Sequence, residues 1–150
     1  YGDPKASLES IESSANQARL MDDVRAFPDG FNTLVGERGI TLSGGQRQRT
    51  ALGRALLVQS PVIVLDDALA SVDNNTAAAI LDSIRAQDDR TIVMISHQLS
   101  AAAACDRILV MENGRIVQQG HHNALIQLPG VYKRLWERQQ ASQQLDALAS

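Results

Sequence analysis

The stretch Leu42-Ser43-Gly44-Gly45-Gln46-Arg47-Gln48-Arg49, followed by the apolar run Val62 to Leu65 closed by Asp66-Asp67, decides the fold of this chain. Ser43 with Gln46 three residues later is a capping box, which predicts a helix with Ser43 as its N-cap. The Ser43 hydroxyl then satisfies a backbone donor that the helix itself leaves open, and Gly44 and Gly45 bring no side chains to the first turn. A ligand can approach such exposed amides closely, and an anion is the ligand they favour. An ordinary capped surface helix explains Ser43 and Gln46 but gives no reason for two glycines. Ala51, Leu52, Ala55, Leu56 and Val58 continue near the 3.6-residue period until Ser60-Pro61 ends the helix.

The short apolar run reads as a strand buried on both faces of a parallel sheet. Acids at its carboxyl end stand where open α/β sheets bind ligands. Asp66 suits Mg²⁺ held through water, because that ion keeps several waters and takes few carboxylates. Asp67 is placed to orient or deprotonate an attacking water. The plainer alternative, in which both acids merely leave the strand into a solvated loop, stays open on this pair alone. Asp73-Asn74-Asn75-Thr76 starts a second helix, with Ala77, Ile80, Leu81 and Ile84 as one apolar stripe, and Thr91 to Ile95 is a second strand. Strand, helix and strand make a βαβ unit whose strands run parallel, so their carboxyl ends face the same way. His97 lies two residues beyond the second strand and Asp67 two beyond the first. An isolated His is commonly structural, but this shared placement favours a role in one crevice.

These motifs resemble the signature motif and Walker B strand of the ATP-binding cassette family. Val35-Gly36-Glu37-Arg38-Gly39 resembles the loop that, in the exporter branch, contacts the coupling helices of the membrane domain, which places Glu37 and Arg38 in a coupling loop. Ala70-Ser71-Val72-Asp73 is similar to the D-loop, with Ser71 and Asp73 at the interface of two nucleotide domains. Ser96-His97-Gln98-Leu99-Ser100 is similar to the switch segment whose His contacts the terminal phosphate. The run Asp106 to His121 matches the family's late hairpin, and Asn113-Gly114 is independently a turn signal between apolar runs. The resemblance implies an α/β fold, a partial P-loop NTPase-like parallel sheet core with a helical subdomain. Residues 1–60 would form the helical subdomain with coupling loop and signature helix, 61–130 the carboxyl-terminal part of the ATPase core, and 131–150 a terminal helix.

The mechanism implied by the resemblance sandwiches ATP and Mg²⁺ between two nucleotide-binding domains arranged head to tail. Ser43, Gly44, Gly45 and Gln46 would complete the partner's ATP site. Asp66 as metal residue, with Asp67 and His97 as catalytic residues, would serve this chain's own. The implied partners are a second nucleotide-binding domain on a different subunit and the transmembrane domains of an exporter, at the cytoplasmic face of the cell membrane. Two departures stand out. The family usually has Glu where this chain has Asp67, and Ser where it has Ala70. Both resemble the multidrug-resistance-like subunit of heterodimeric exporters with one weakened site.

A phosphate loop needs Gly-x-x-x-x-Gly-Lys followed by Ser or Thr, so that amides cradle the phosphates and Lys neutralises them. Lys5 and Lys133 are the lysines of this sequence, and neither follows a glycine. The opening Tyr1-Gly2-Asp3-Pro4 resembles the start of the helical subdomain. The expectation is therefore the carboxyl-terminal part of a nucleotide-binding domain, inactive alone. The alternative is a truncated, non-catalytic module that binds another nucleotide domain. A non-transport cassette is a third reading, against which the Val35–Gly39 loop counts.

Composition sets wider bounds. The chain is 44% hydrophobic with a formal net charge of −3 and few aromatics, which gives no basic footprint for nucleic acid. No apolar run approaches the length of a membrane span. A single cysteine, Cys105, cannot form an internal disulfide and reads as a small semi-buried residue. Arg47, Arg49 and Arg54 are expected on a solvated or interdomain face, and His121-His122 on the surface. Helices are expected from Ser7 to about Phe27, a hairpin from Arg107 to Gln119, a short helix from Asn123 to Gln127, and a helix from Val131 to Leu148. In that last helix Val131, Leu135 and Trp136 should pack back, with fraying beyond Gln140.

Overall fold

The computed structural model describes residues 2–36, 39–58, 60–87 and 90–149. The chain divides into two compact units, Tyr1–Ser96 and His97–Ser150.

The first unit opens with α1 (Leu8–Gln17), whose N-cap Ser7 accepts from the Ser10 backbone N–H. Then come α2 (Met21–Ala26) and a 3₁₀ turn (Gly30–Asn32). Phe27, the residue before Pro28, is already extended, as a residue preceding proline must be to avoid its ring. The longer helix α3 (Gly44–Leu57) packs on α1. Parallel strands β1 (Val62–Asp66) and β2 (Thr91–Ile95) pair in register from Val62 with Thr91 to Asp66 with Ile95, and α4 (Asn74–Gln87) makes the crossover. The expected apolar stripe holds: Ala77, Ile80, Leu81 and Ile84 are all buried. Arg90 leads into β2, and its guanidinium donates to the Leu56 and Val58 carbonyls at 3.2 and 3.1 Å. It thereby satisfies carbonyls that the end of α3 leaves open, and its charge suits that end of the helix dipole.

The strands are not buried on both faces, as the all-apolar run had suggested. Ile63 and Leu65 are buried, whereas Val62, Val64, Val93 and Ile95 are exposed, Val64 by 63%. Side chains alternate across a strand, and only one face of this strand pair is covered among the described residues. The uncovered face carries four aliphatic side chains and ends at Asp66, which is also exposed. Sequence reported hydrophobicity correctly, but hydrophobicity alone does not say that a cover is present.

The second unit begins at His97 and contains α5 (Leu99–Ala103), the antiparallel pair β3 (Ile108–Glu112) and β4 (Arg115–Gly120), α6 (His122–Leu125) and α7 (Val131–Ala149). The β3–β4 register shifts between Val110 and Met111. Asn113 and Gly114 both take positive φ, 51° and 73°, as a two-residue hairpin turn of this hand requires. Ile108, Val110, Leu125 and Tyr132 form the core, with Leu99, Ile126 and Val131 against it. Cys105 is half-buried, as expected, and its thiol lies 3.7 Å from the Ala101 carbonyl.

Three expectations for this unit are corrected. His122 is half-buried rather than on the surface: its Nδ1 is hydrogen-bonded to the Tyr132 hydroxyl at 2.8 Å, and its ring lies edge-on to Trp136 at 4.4 Å. Leu135 is exposed, because the inward positions of α7 are taken by Tyr132 and Trp136 on the face that meets His122. The short helix spans His122–Leu125, where Asn123 to Gln127 was expected.

Two outcomes follow from this packing. Burial, reinforced by the charge of the Cys105 thiolate, holds the Tyr132 phenol above its ordinary value of 10.0. The folded chain therefore keeps this proton longer than the unfolded chain. The Tyr132 contribution to stability is intact below pH 10 and is lost as pH rises through the folded value. Tyr132→Phe should flatten that alkaline loss in urea unfolding between pH 9 and about pH 11. Separately, an uncovered aliphatic sheet face favours self-association. Replacing Val64 and Val93 together by Thr should lower the sedimentation coefficient of concentrated chain towards that of a monomer, and should leave the helix content unchanged.

Candidate functional site

The predicted capping box is present in full. Gln46 N–H donates to Ser43 Oγ at 3.2 Å, and Ser43 N–H donates to Gln46 Oε1 at 2.9 Å. Ser43 sits in extended conformation outside the helix, so the first turn of α3 opens on Gly44 and Gly45. Their amides precede the first intrahelical donor, and the helix dipole makes this end positive. A cap of this kind is worth about 1 kcal/mol to the helix.

The rest of the Gln46 side chain is also committed. Its Nε2 donates to Asp23 Oδ1 at 3.0 Å, and Asp23 Oδ2 accepts from Arg49 Nη2 at 2.6 Å. Both members of the Arg49–Asp23 pair are more than four-fifths buried, so Arg49 is not on a solvated or interdomain face. The reason is its position three residues after Gln46, which brings both side chains to the same carboxylate on α2. Arg47 is exposed, and its guanidinium donates to the Leu42 carbonyl at 2.6 Å, tightening the approach to the cap. Gln46 thus braces the helix start, and the groups left facing outward there are the Ser43 hydroxyl and the glycine amides.

The glycines answer to a second demand that the sequence did not disclose. A Cβ on Gly45 would lie 3.0 Å from the Ser71 carbonyl oxygen, and one on Gly44 would lie 3.5 Å from Ser71 Cβ. The first turn of α3 is thus packed against the loop that follows β1. Gln48, to which the motif reading assigned no role, bonds that same loop from the next turn of the helix. Its Oε1 accepts from Ser71 N–H at 2.7 Å, and its Nε2 donates to the Asp67 carbonyl at 3.4 Å. The signal for it was spacing: Gln48 follows Gly44 by four residues and therefore shares its face.

Asp66 closes β1 and is exposed, while Asp67 is half-buried just beyond it. Asp67 takes a left-handed φ of 44°, a region that Asp tolerates better than most residues. Its N–H donates to the Ile95 carbonyl at 3.0 Å, and its carbonyl accepts from Ala70 N–H at 3.1 Å, so the backbone turns sharply at the end of the sheet. Backbone of this kind is held only where its surroundings over-determine it, and it concentrates at functional sites. Leu69 and Val72 are buried and anchor the turn, with Ser71 exposed between them and Ala70 exposed beside it.

Asp73 serves as the N-cap of α4: its Oδ1 accepts from Thr76 N–H at 2.9 Å, and its carbonyl accepts from Ala77 N–H at 2.9 Å. His97 is an exposed residue at the start of the second unit. Glu37 and Arg38 lie outside the described residues; of the residues that flank them, Ile40 donates its N–H to the Leu34 carbonyl at 2.9 Å. The structure therefore brings Ser43, Gly44, Gly45, Gln46, Asp67 and Ser71 into one neighbourhood in the first unit, with Asp66 and Asp73 at its margins.

The donor set fits a phosphate group at the start of α3, where uncommitted backbone amides meet a hydroxyl. Asp66 fits Mg²⁺ bound by one carboxylate and otherwise by water and phosphate. Among the described residues no group of three or more His, Cys, Asp or Glu is gathered that could hold a metal by itself. Among them also, no helix is long and apolar enough to cross a membrane.

A glycine-led helix start locked to an acid-bearing turn at the end of a parallel strand pair defines an α/β domain whose helix start suits an anion. Comparison with known proteins makes this specific. The family model described as ABC transporter matches residues 3–70. The multidrug resistance-like ATP-binding protein MdlA of Escherichia coli is 42% identical over 146 residues, covering 97% of this chain and 25% of that protein. The ATP-dependent lipid A-core flippase of a Shewanella species is 43% identical over 138 residues, covering 90% of this chain and 23% of that protein. A solved bacterial Atm1-family ABC exporter with ATP bound superposes with a TM-score of 0.87 at 39% identity, over 93% of this chain and 25% of that one. The chain belongs to the ATP-binding cassette family, and it spans about a quarter of the length of these relatives.

The cap at Asp73 yields a check on the local structure. Hydrogen bonds from the Thr76 backbone and side chain hold its carboxyl below the ordinary 3.8. The folded state thus releases this proton more readily, and the stabilisation present above pH 3.8 is lost as pH falls through the folded value. Asp73→Ala should lower the thermal midpoint at pH 7, whereas Asp73→Asn, which keeps a capping oxygen, should nearly restore it and remove the acid dependence.

Proposed function

We propose that this chain is the signature-bearing part of an exporter's ATP-driven engine, acting at two composite nucleotide sites with a second nucleotide-binding domain. The carrying observation is the lock between the capped, glycine-led start of α3 and the turn bearing Asp67. One segment presents anion-seeking amides, the other an acid, and a single packed unit holds both. The names of the relatives, a multidrug resistance-like ATP-binding protein, a lipid A-core flippase and an ABC exporter, support export as the work to which ATP is coupled.

In this reading Ser43, Gly44 and Gly45 meet the phosphates of a nucleotide held by the partner, with Gln46 bracing them. Asp66, Asp67 and His97 serve the nucleotide held on this chain's side, Asp66 towards Mg²⁺, Asp67 towards the attacking water and His97 towards the terminal phosphate. When bound, Mg²⁺ supplies charge neutralisation between the outer phosphates. Ser71 and Asp73 lie along the interface with the partner, Asp73 as the cap that fixes the loop's exit. Glu37 and Arg38 stand in the loop that meets the membrane domain, at the cytoplasmic face of the membrane. The functional division is then residues 1–60, 61–130 and 131–150. The uncovered aliphatic face of the strand pair supports a site completed by a further layer of protein.

A weakened site on this chain's side rests on Asp67. Its carboxylate is one methylene shorter than a glutamate and is carried on left-handed backbone, so its reach towards a water differs from that of the usual residue. That favours a heterodimer in which the partner's site, completed by Ser43 of this chain, does most of the hydrolysis. The isolated chain, with no Gly-x-x-x-x-Gly-Lys run, should then show no MgATP turnover.

Phosphate-release assays on the full-length protein assembled with its partner test this directly. Ser43→Arg should remove most turnover by filling the phosphate pocket, and Asp67→Asn should change it less than about threefold, an activation cost under about 1 kcal/mol. Undiminished turnover in Ser43→Arg would refute the assignment of α3. A collapse in Asp67→Asn would show that Asp67 is a working base and that the site is not weak.

A further inference from the structure

We propose that Gln48 is a positioning residue that couples the two nucleotide sites, by fixing within one chain the element that serves the partner's nucleotide against the element that serves its own. The inference rests on the reading of Ser43 and Asp67 above and goes beyond it, since neither the motifs nor the relatives assign Gln48 a part.

The geometry carries the argument. The turn from Asp67 to Ser71 is closed on itself by Ala70 N–H donating to the Asp67 carbonyl, and it continues through Val72 N–H donating to the Leu69 carbonyl. Gln48 spans the mouth of that turn. One carboxamide reaches both ends, accepting from Ser71 N–H at 2.7 Å and donating towards the Asp67 carbonyl at 3.4 Å. A carboxamide is planar, so its donor and acceptor cannot shift independently. The two bonds hold the Ser71 N–H and the Asp67 carbonyl at one spacing, and a movement of α3 larger than the Gln48 side chain can take up drags the Asp67 backbone or breaks the Ser71 bond.

Packing removes the remaining slack. Gly45 meets the Ser71 carbonyl so closely that a Cβ there would stand 3.0 Å away, and on its other side the Arg49 guanidinium would lie 3.2 Å from the same atom. Arg49 is itself fixed by Asp23, so the helix is held from α2 as well as from the turn. The turn keeps its own anchors, the buried side chains of Leu69 and Val72, and does not need Gln48 in order to form. What Gln48 adds is the relative placement of Ser43, five residues back at the N-cap, and Asp67 at the end of the strand. A nucleotide event at one of these elements is thereby transmitted to the other over a path of two hydrogen bonds.

The test uses the full-length protein assembled with its partner nucleotide domain. Gln48→Met keeps side-chain length and helix propensity but removes both bonds, whereas Gln48→Glu keeps an acceptor for Ser71 N–H and loses the donor to Asp67. Expected for Gln48→Met is a fall in kcat of about five- to tenfold, the kinetic equivalent of a lost hydrogen bond, with KM for MgATP within about twofold. Gln48→Glu should recover part of kcat. Hydrogen exchange should quicken at the Ser71 amide and not at the amides of α3. Wild-type kcat in Gln48→Met, while Ser43→Arg still abolishes turnover, would overturn the coupling and leave the site assignment standing. Exchange that quickens throughout α3, with kcat and KM both altered, would make Gln48 a structural residue and equally overturn it. Full turnover in Ser43→Arg would remove the site assignment first and the coupling with it.

Discussion

Everything functional in the first unit depends on how closely the first turns of α3 lie against the turn that follows β1. The contact is made from backbone and small groups: a glycine against a carbonyl, a carboxamide against one N–H and one C=O. The Gly45 contact has little compliance, because backbone meets backbone there with no side chain between, and the two Gln48 bonds add a second hold beside it. The helix start and the acid at the strand's end therefore behave as one body. The Gln46–Asp23 bond, the Asp23–Arg49 pair and the Arg90 bonds at the far end of α3 then hold that body to the rest of the unit.

This arrangement changes the meaning of the glycines. A motif of Ser-Gly-Gly-Gln at a helix start invites a reading in which each glycine clears space for a ligand. The structure shows that Gly45 also clears space for Ser71 of the same chain, so the residue sits under two constraints that coincide. Gln46 is a parallel case. Its side chain closes the capping box with one atom and grips Asp23 with another, which leaves it a brace for the amides beside it. Sites built in this way are pre-organised, since the groups that meet a ligand are already held before it arrives.

Much of this was legible in the residues. Ser43 with Gln46 announced the cap because a capping box is a local device, decided by four residues. Asp73 announced α4, and Asn113-Gly114 the hairpin, for the same reason. The parallel pair followed from two apolar runs separated by one helix. What the residues could not show were long-range choices. Val62 and Val64 are as hydrophobic as Ile63 and Leu65, and only tertiary structure tells which pair is covered. Asp23 lies more than twenty residues from its partners Gln46 and Arg49, and Gln48 is similarly remote from Ser71. His122 looked like half of a surface pair, and only the approach of Tyr132 and Trp136 turned it inward.

The central claim is that the start of α3 contacts a nucleotide held by another domain. A photoreactive ATP analogue with its reactive group on the terminal phosphate, bound to the assembled protein and mapped by peptide mass spectrometry, tests it most directly. The account predicts labelling within the segment Ser43 to Gln46, lost when the phosphate-binding lysine of the partner domain is replaced. Labelling of that segment that persists without the partner's lysine, or labelling that never reaches it, would contradict the account.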